Sequence, residues 1–125
     1  MIKARDVMTQ SVYTVFPDTP VLHAARLLVE KHVSGLPVVD EERNLLGIIS
    51  EKDLLELLLD ITLENKKVED VMTRDVISFK PDDSLIWICK FLMHHNIRRV
   101  PIADHGKLVG VISRRDIMAQ ILRRK

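Results

Sequence analysis

Gly47-Ile48-Ile49-Ser50-Glu51-Lys52-Asp53 returns as Gly110-Val111-Ile112-Ser113-Arg114-Arg115-Asp116, and the fold follows from that duplication. In each copy an apolar, β-branched run ends at a serine, and an aspartate stands three residues further on. Ser-x-x-Asp has the spacing of a capping box, in which hydroxyl and carboxylate both serve unpaired amides at a helix start. A second reading is compatible with the first: an aspartate at such a turn accepts hydrogen bonds from both hydroxyls of a ribose.

Working outward, the whole chain proves to be written twice. Asp6-Val7-Met8-Thr9 recurs as Asp70-Val71-Met72-Thr73, Pro17-Asp18 as Pro81-Asp82, and Pro37 and Asp40 as Pro101 and Asp104. One residue is lost before the second glycine, and the deletion falls in the polar turn after Asp40, where a surface loop tolerates it. The repeats are placed at residues 1–64 and 65–125. Each reads as a short stretch, an amphipathic helix, two short buried strands and a second helix.

In the first copy Thr19 is read as the cap and Pro20 as the first position of a helix. Val21, Leu22, Ala25, Leu28 and Val29 form its core stripe, and Ser34-Gly35 ends it. Strands are expected at residues 36–39 and 45–49, and a helix from Glu51 to Leu63. Pro37 and Pro101 require edge or first positions in a small sheet. Two such units packed about a pseudo-twofold axis are expected to share one core and to leave two equivalent clefts.

In the second copy Leu85, Ile86, Cys89, Leu92 and Met93 repeat the stripe. Trp87 and Phe91 add apolar bulk on the face expected to be wet, and Leu55 and Leu59 add a second stripe to the helix after Glu51. A second copy of the module is the simplest cover, with deeper burial in the monomer as the alternative.

Composition narrows the classes. At 125 residues the chain is long enough to bury a core without disulfides, and Cys89, the one cysteine, reads as a buried, unreactive thiol. No apolar run approaches the roughly 18 residues of a membrane span. The start, Met1-Ile2-Lys3-Ala4-Arg5-Asp6, lacks a signal peptide's apolar core, so a soluble, cytoplasmic protein is expected. The formal charge is +1, yet residues 1–65 hold 6 Lys/Arg against 11 Asp/Glu and residues 66–125 hold 13 against 7. That asymmetry fits attraction of an anion to the second half, and fits equally well two solvated faces.

His94-His95 are neighbours at i and i+1, which do not share a helix face, so no metal is expected. Phosphate-loop, nucleophile-elbow and dinucleotide-binding signatures are all missing from the sequence, so neither an enzyme nor a catalytic cofactor is expected.

Together the two Asp-Val-Met-Thr tetrads, His32-Val33-Ser34-Gly35-Leu36-Pro37-Val38-Val39-Asp40, Asn96-Ile97-Arg98-Arg99-Val100-Pro101-Ile102-Ala103-Asp104 and the doubled Gly-x-Ile-Ser-x-x-Asp resemble a tandem pair of CBS domains, the Bateman module. That resemblance implies an α+β fold of two β-α-β-β-α repeats packed with pseudo-twofold symmetry, with small mixed sheets flanked by helices. It also implies two clefts that bind AMP, ADP, ATP or S-adenosylmethionine as a regulatory ligand. Carried over by position, one cleft combines Ser50, Lys52 and Asp53 with Ile77, Ser78, Phe79, Ile97, Arg98, Arg99, Val100 and Pro101. The other combines Tyr13, Thr14, Val15, Ser34, Gly35, Leu36 and Pro37 with Ser113, Arg114, Arg115 and Asp116. Arg98 and Arg99 stand where the first copy has Ser34 and Gly35, which favours the Asp53 cleft for a phosphate.

The expected protein is therefore an adenosyl-ligand sensor, homodimeric through its helices, that signals to an effector protein which the sequence leaves unidentified. The alternatives are a ligand-free structural or dimerisation module and, through the basic second half, a nucleic-acid-binding protein.

Overall fold

The apolar runs of each repeat fold back on themselves as antiparallel hairpins. In the first, β1 (Gly35–Val39) pairs with β2 (Leu45–Ser50), with Gly35 opposite Ser50. In the second, β3 (Arg99–Asp104) pairs with β4 (Lys107–Ser113), with Arg99 opposite Ser113. The computed structural model describes residues 1–57, 59 and 65–123.

Each hairpin gains a neighbour on both edges. Val15 forms a parallel bridge to Val38, its amide donating to Pro37 O at 3.1 Å and its carbonyl accepting from Val39 N at 3.0 Å; Phe79 does the same to Ile102. The first strand of each repeat is thus reduced to a single bridging residue, and in place of the expected mixed sheets there are two small two-stranded antiparallel sheets, each with one isolated parallel bridge beside it. A strand residue turns its amide and carbonyl to the same edge, so Pro37, whose carbonyl faces Val15, has its missing N–H on the side where no ladder bond needs it.

On the far edge Thr73 pairs with Ile48 and Thr9 with Val111, both antiparallel. These threonines come from the Asp-Val-Met-Thr segments, and each segment docks onto the body of the other sequence repeat. Two compact units result: Tyr13–Val76, and Met1–Val12 together with Ile77–Lys125. Sequence repeat and compact unit therefore differ by an exchange of leading segments.

The longer helices are α2 (Val21–Lys31), α3 (Glu51–Leu57), α5 (Leu85–His94) and α6 (Arg114–Arg123), while α1 (Ala4–Val7) and α4 (Val68–Val71) are single turns inside the leading segments. The part of the expected helix at 58 and 60–63 lies outside the described residues. Thr19 does not cap α2: its hydroxyl accepts from Phe16 N at 3.0 Å, in the turn before the helix, and Pro20 holds the cap position. Ser84, at the same place before α5, does cap, accepting from Ile86 N. The end of α2 comes earlier than Ser34-Gly35, at His32, which takes a left-handed conformation (φ 54°); Asn96 at the equivalent place after α5 has φ 52°.

Each unit gathers an apolar core. One gathers Val15, Ala24, Leu28, Leu36, Val38 and Ile49 with Val68 and Met72 of the docked segment. The other gathers Leu85, Ile88, Leu92, Val100, Ile102 and Ile112 with the docked Ala4. Each fully buried aliphatic side chain contributes about 1.5–3 kcal/mol, so the docked segment adds what a repeat of this size lacks by itself.

The helix stripes are rotated from expectation. Val21, Ala24 and Leu28 are buried while Leu22 and Val29 are exposed, and in α5 Ile88 is buried while Ile86 and Met93 are exposed. The apolar arc of α2 is wider than the stripe that packs, and α5 is apolar on nearly every side, so periodicity left the buried stripe undecided. Phe91, expected on a wet face, instead packs edge-on against Phe79 with ring centroids 5.4 Å apart. Cys89, expected to be buried, is half-buried.

A Cβ on Gly47 would lie 2.6 Å from the Thr73 carbonyl oxygen and 3.1 Å from Met72 Sδ. Gly47→Ala is therefore expected to cost about 2 kcal/mol through forced separation of the edge pair, read as a lower urea midpoint. His32→Gly should move the midpoint the other way, by up to about 1 kcal/mol, because glycine adopts the left-handed cap without strain.

Candidate functional site

The Ser-x-x-Asp turns sit where β2 and β4 run into α3 and α6, and both form complete capping boxes. Asp53 Oδ2 accepts from Ser50 N at 2.9 Å and Ser50 Oγ at 3.0 Å, while Ser50 Oγ accepts from Asp53 N at 3.3 Å. Asp116 Oδ2 accepts from Ser113 N at 2.8 Å and Ser113 Oγ at 2.9 Å, and Ser113 Oγ accepts from Asp116 N at 3.2 Å. One carboxylate oxygen of each aspartate is thereby fully engaged.

The other oxygen meets a threonine of the docked segment. Thr73 Oγ1 donates to Asp53 Oδ1 at 3.4 Å and Thr9 Oγ1 to Asp116 Oδ1 at 3.1 Å. These hydroxyls were not singled out from the sequence, although the duplication of Asp-Val-Met-Thr was the signal that pointed to them. Each aspartate is half-buried, so its outer oxygen still has lone pairs available to a further donor.

Within the unit Tyr13–Val76, Val15, Ser34, Gly35, Leu36 and Pro37 share the sheet with Ser50 and Asp53: Gly35 lies opposite Ser50, and Glu51 N donates to Ser34 O at 2.9 Å. Tyr13 stacks under Lys31, whose Nζ is 5.0 Å from the ring centroid, while Thr14 is half-buried and Lys52 exposed. Within the other unit Phe79, Ile97, Arg98, Arg99, Val100 and Pro101 share the sheet end with Ser113 and Asp116, while Ile77, Ser78 and Arg115 are exposed. Val15, Leu36 and Val100 turn their side chains into the cores.

The basic residues of this second sheet end are unequal. Arg98 is exposed, whereas Arg99 is half-buried, and its Nε is out of contact with solvent and has no hydrogen-bond partner among the described residues. Burial lowers the Arg99 pKa from its ordinary value; the Asp116 carboxylate opposes that shift and Arg98 adds to it. A guanidinium held this way lacks an acceptor that an anionic group would supply. Arg114 points elsewhere: its Nε donates to Ile97 O at 3.0 Å and its Nη2 to Asn96 Oδ1 at 3.1 Å and Leu92 O at 3.5 Å.

Among the described residues no helix is long and apolar enough to cross a membrane. The CBS domain model matches residues 4–60 and 68–123. The uncharacterized protein MJ1232 of Methanocaldococcus jannaschii is 39% identical over 118 residues, which are 94% of this chain and 38% of that protein. The chain spans about two fifths of the length of the first curated relatives it matches.

Among solved structures, CBSX2 of Arabidopsis thaliana in complex with AMP aligns with a TM-score of 0.90 at 34% identity, covering 99% of this chain and 98% of that one. The CBS domain pair of protein MJ0100 in complex with 5′-methylthioadenosine and S-adenosyl-L-methionine aligns with a TM-score of 0.83 at 27% identity, covering 100% and 99%.

Asp116→Ala removes the acceptor for Ser113 N, Ser113 Oγ and Thr9 Oγ1 together, and is expected to lower stability by about 1–2 kcal/mol. Thr9→Val should cost about half as much, and the double variant less than the sum because one bond is shared. A double-mutant cycle by urea denaturation reads this, and strictly additive losses would deny the Thr9–Asp116 bond.

Proposed function

From the premise that this chain belongs to the CBS domain family and carries the domain twice, we propose that it is a cytoplasmic, non-catalytic regulatory module that binds AMP, ADP or ATP, with S-adenosylmethionine as the other adenosyl candidate. The observation that carries the reading is Arg99, a half-buried guanidinium whose Nε finds no acceptor among the described residues. It sits at the end of a sheet that also presents the Asp116 carboxylate. Phosphate supplies the acceptor that Nε lacks, and Arg98 adds a second fork beside it.

Asp53 and Asp116 are proposed to accept the ribose hydroxyls through their outer oxygens, with the other residues named from the sequence as the remaining contacts, except Arg114, whose guanidinium is bound at the end of α5. CBS pairs of similar sequence and length that were crystallised with AMP or with S-adenosyl-L-methionine support the adenosyl class. Binding energy is then converted into a shifted conformational population that an effector protein reads.

A dimer is proposed on a separate observation. No residue of α6 is buried, and Met118, Ile121 and Leu122 lie exposed along it, Leu122 to 74%; on α5, Trp87 is 65% exposed. Apolar faces of this kind favour cover by a second copy.

The deciding experiment is a thermal-shift panel with AMP, ADP, ATP, S-adenosylmethionine and NAD. A ligand at about a hundred times its Kd adds about 2.7 kcal/mol, so a clear rise in Tm is expected with at least one adenine nucleotide. Asp53→Ala combined with Arg98→Ala should abolish that increment, whatever the variant's own starting Tm. No rise with any adenosyl compound removes the reading. A dimer indifferent to all of them would favour a purely structural module instead.

A further inference from the structure

Arg114 opens α6 immediately after the Ser113 strand end, and its main-chain amide and its guanidinium both donate to the end of α5 and the turn beyond it. Its amide donates to Arg98 O at 2.9 Å. Its guanidinium reaches Leu92 O, Asn96 Oδ1 and Ile97 O. The negative end of the α5 dipole favours a cation beside it, and the shorter bonds of the fork go to Ile97 O at 3.0 Å and Asn96 Oδ1 at 3.1 Å in the turn that follows. Asn96 holds the left-handed turn that redirects the chain toward β3, and it is one of the groups Arg114 grips. The two residues that follow the gripped segment are Arg98 and Arg99.

The first repeat lacks this device. Glu51 stands at the matching position and makes the same backbone contact, its amide donating to Ser34 O at 2.9 Å, but a carboxylate cannot donate to carbonyls at the end of α2. The dibasic segment and the clamp thus occur together in one repeat, while Ser34-Gly35 and an acid occur together in the other.

We propose that Arg114 is a positioning residue, whose guanidinium holds Asn96 and Ile97 at the end of α5 so that Arg98 and Arg99, which follow directly, are presented, already ordered, to the phosphate of an adenine nucleotide. This rests on the adenosyl reading above and adds to it the reason one repeat is specialised for the anionic part of the ligand. An ordered pair of guanidiniums loses less side-chain and loop freedom on binding than a loose one.

The test is calorimetric titration of the full chain and of Arg114→Ala and Arg114→Lys with AMP and with adenosine at one salt concentration, together with amide hydrogen exchange at residues 97–99. Arg114→Ala should weaken AMP about tenfold, leave adenosine within about twofold and speed exchange at 97–99. Arg114→Lys should fall between, since an ammonium replaces the charge but not the fork. If Arg114→Ala does not fold, Arg114→Lys carries the same comparison.

Equal loss of AMP and adenosine would mean general loosening and overturn the positioning role, as would unchanged AMP affinity. Should the unaltered chain bind neither compound, the adenosyl reading fails on its own. The exchange arm then still decides the clamp: unchanged rates at 97–99 overturn it and faster rates uphold it.

Discussion

A pair of main-chain exchanges between a leading segment and a sheet edge holds each half of this protein together. Thr73 and Ile48 trade amide–carbonyl bonds of 2.8 and 2.9 Å, and Thr9 and Val111 trade bonds of 2.9 and 3.0 Å. The approach is close enough that a Cβ on Gly47 or Gly110 would strike the facing threonine carbonyl or the methionine beside it. Three members of the Asp-Val-Met-Thr tetrad answer to this contact, and the valine packs against the core. Asp6 and Asp70 accept from the amides of Lys3 and Lys67 at 2.8 Å and shape the turn; Met8 and Met72 lie over the glycines; the threonine forms the bridge and donates its hydroxyl to an aspartate.

From that contact follows the exchange of segments. A repeat of some 60 residues buries too little of its surface to be secure by itself, and here each body is completed by the segment that precedes the other one. Further main-chain bonds lock the arrangement: Val68 N to Thr19 O at 2.8 Å and Val21 N to Lys66 O at 3.0 Å in one unit, Ala4 N to Asp83 O at 2.9 Å and Leu85 N to Ile2 O at 3.0 Å in the other. A protein built this way has to carry both copies, because neither body keeps its sheet edge covered using its own leading segment.

The same scaffold holds two chemically different turns. Duplication places Ser-x-x-Asp identically in both, and the capping boxes agree to within a few tenths of an ångström. Divergence then acts on what surrounds them: Ser34-Gly35 and Glu51 in one copy, Arg98-Arg99 and Arg114 in the other. Burial of Arg99 in the second copy leaves its Nε without an acceptor among the described residues, and the first copy has Gly35 at that place.

Much of this was legible in the residues alone. Repetition at a fixed offset located the strands to within a residue, because a turn rich in polar residues bounds each apolar run, and it identified the capping boxes, because serine and aspartate at that spacing have a local partner in their own backbone. What the residues could not reveal depends on contacts far apart in the chain. Helix faces were misjudged by one position because the apolar arc of α2 is wider than the stripe that packs and α5 is apolar on nearly every side, and only packing against the hairpin buries Ala24 and Ile88 in place of Leu22 and Ile86. Arg114 looked like a ligand contact because its neighbours are Arg115 and Asp116. The end of α5, some 20 residues earlier in the chain, claims its guanidinium, a contact that exists only once the hairpin has folded and brought the two helix ends together.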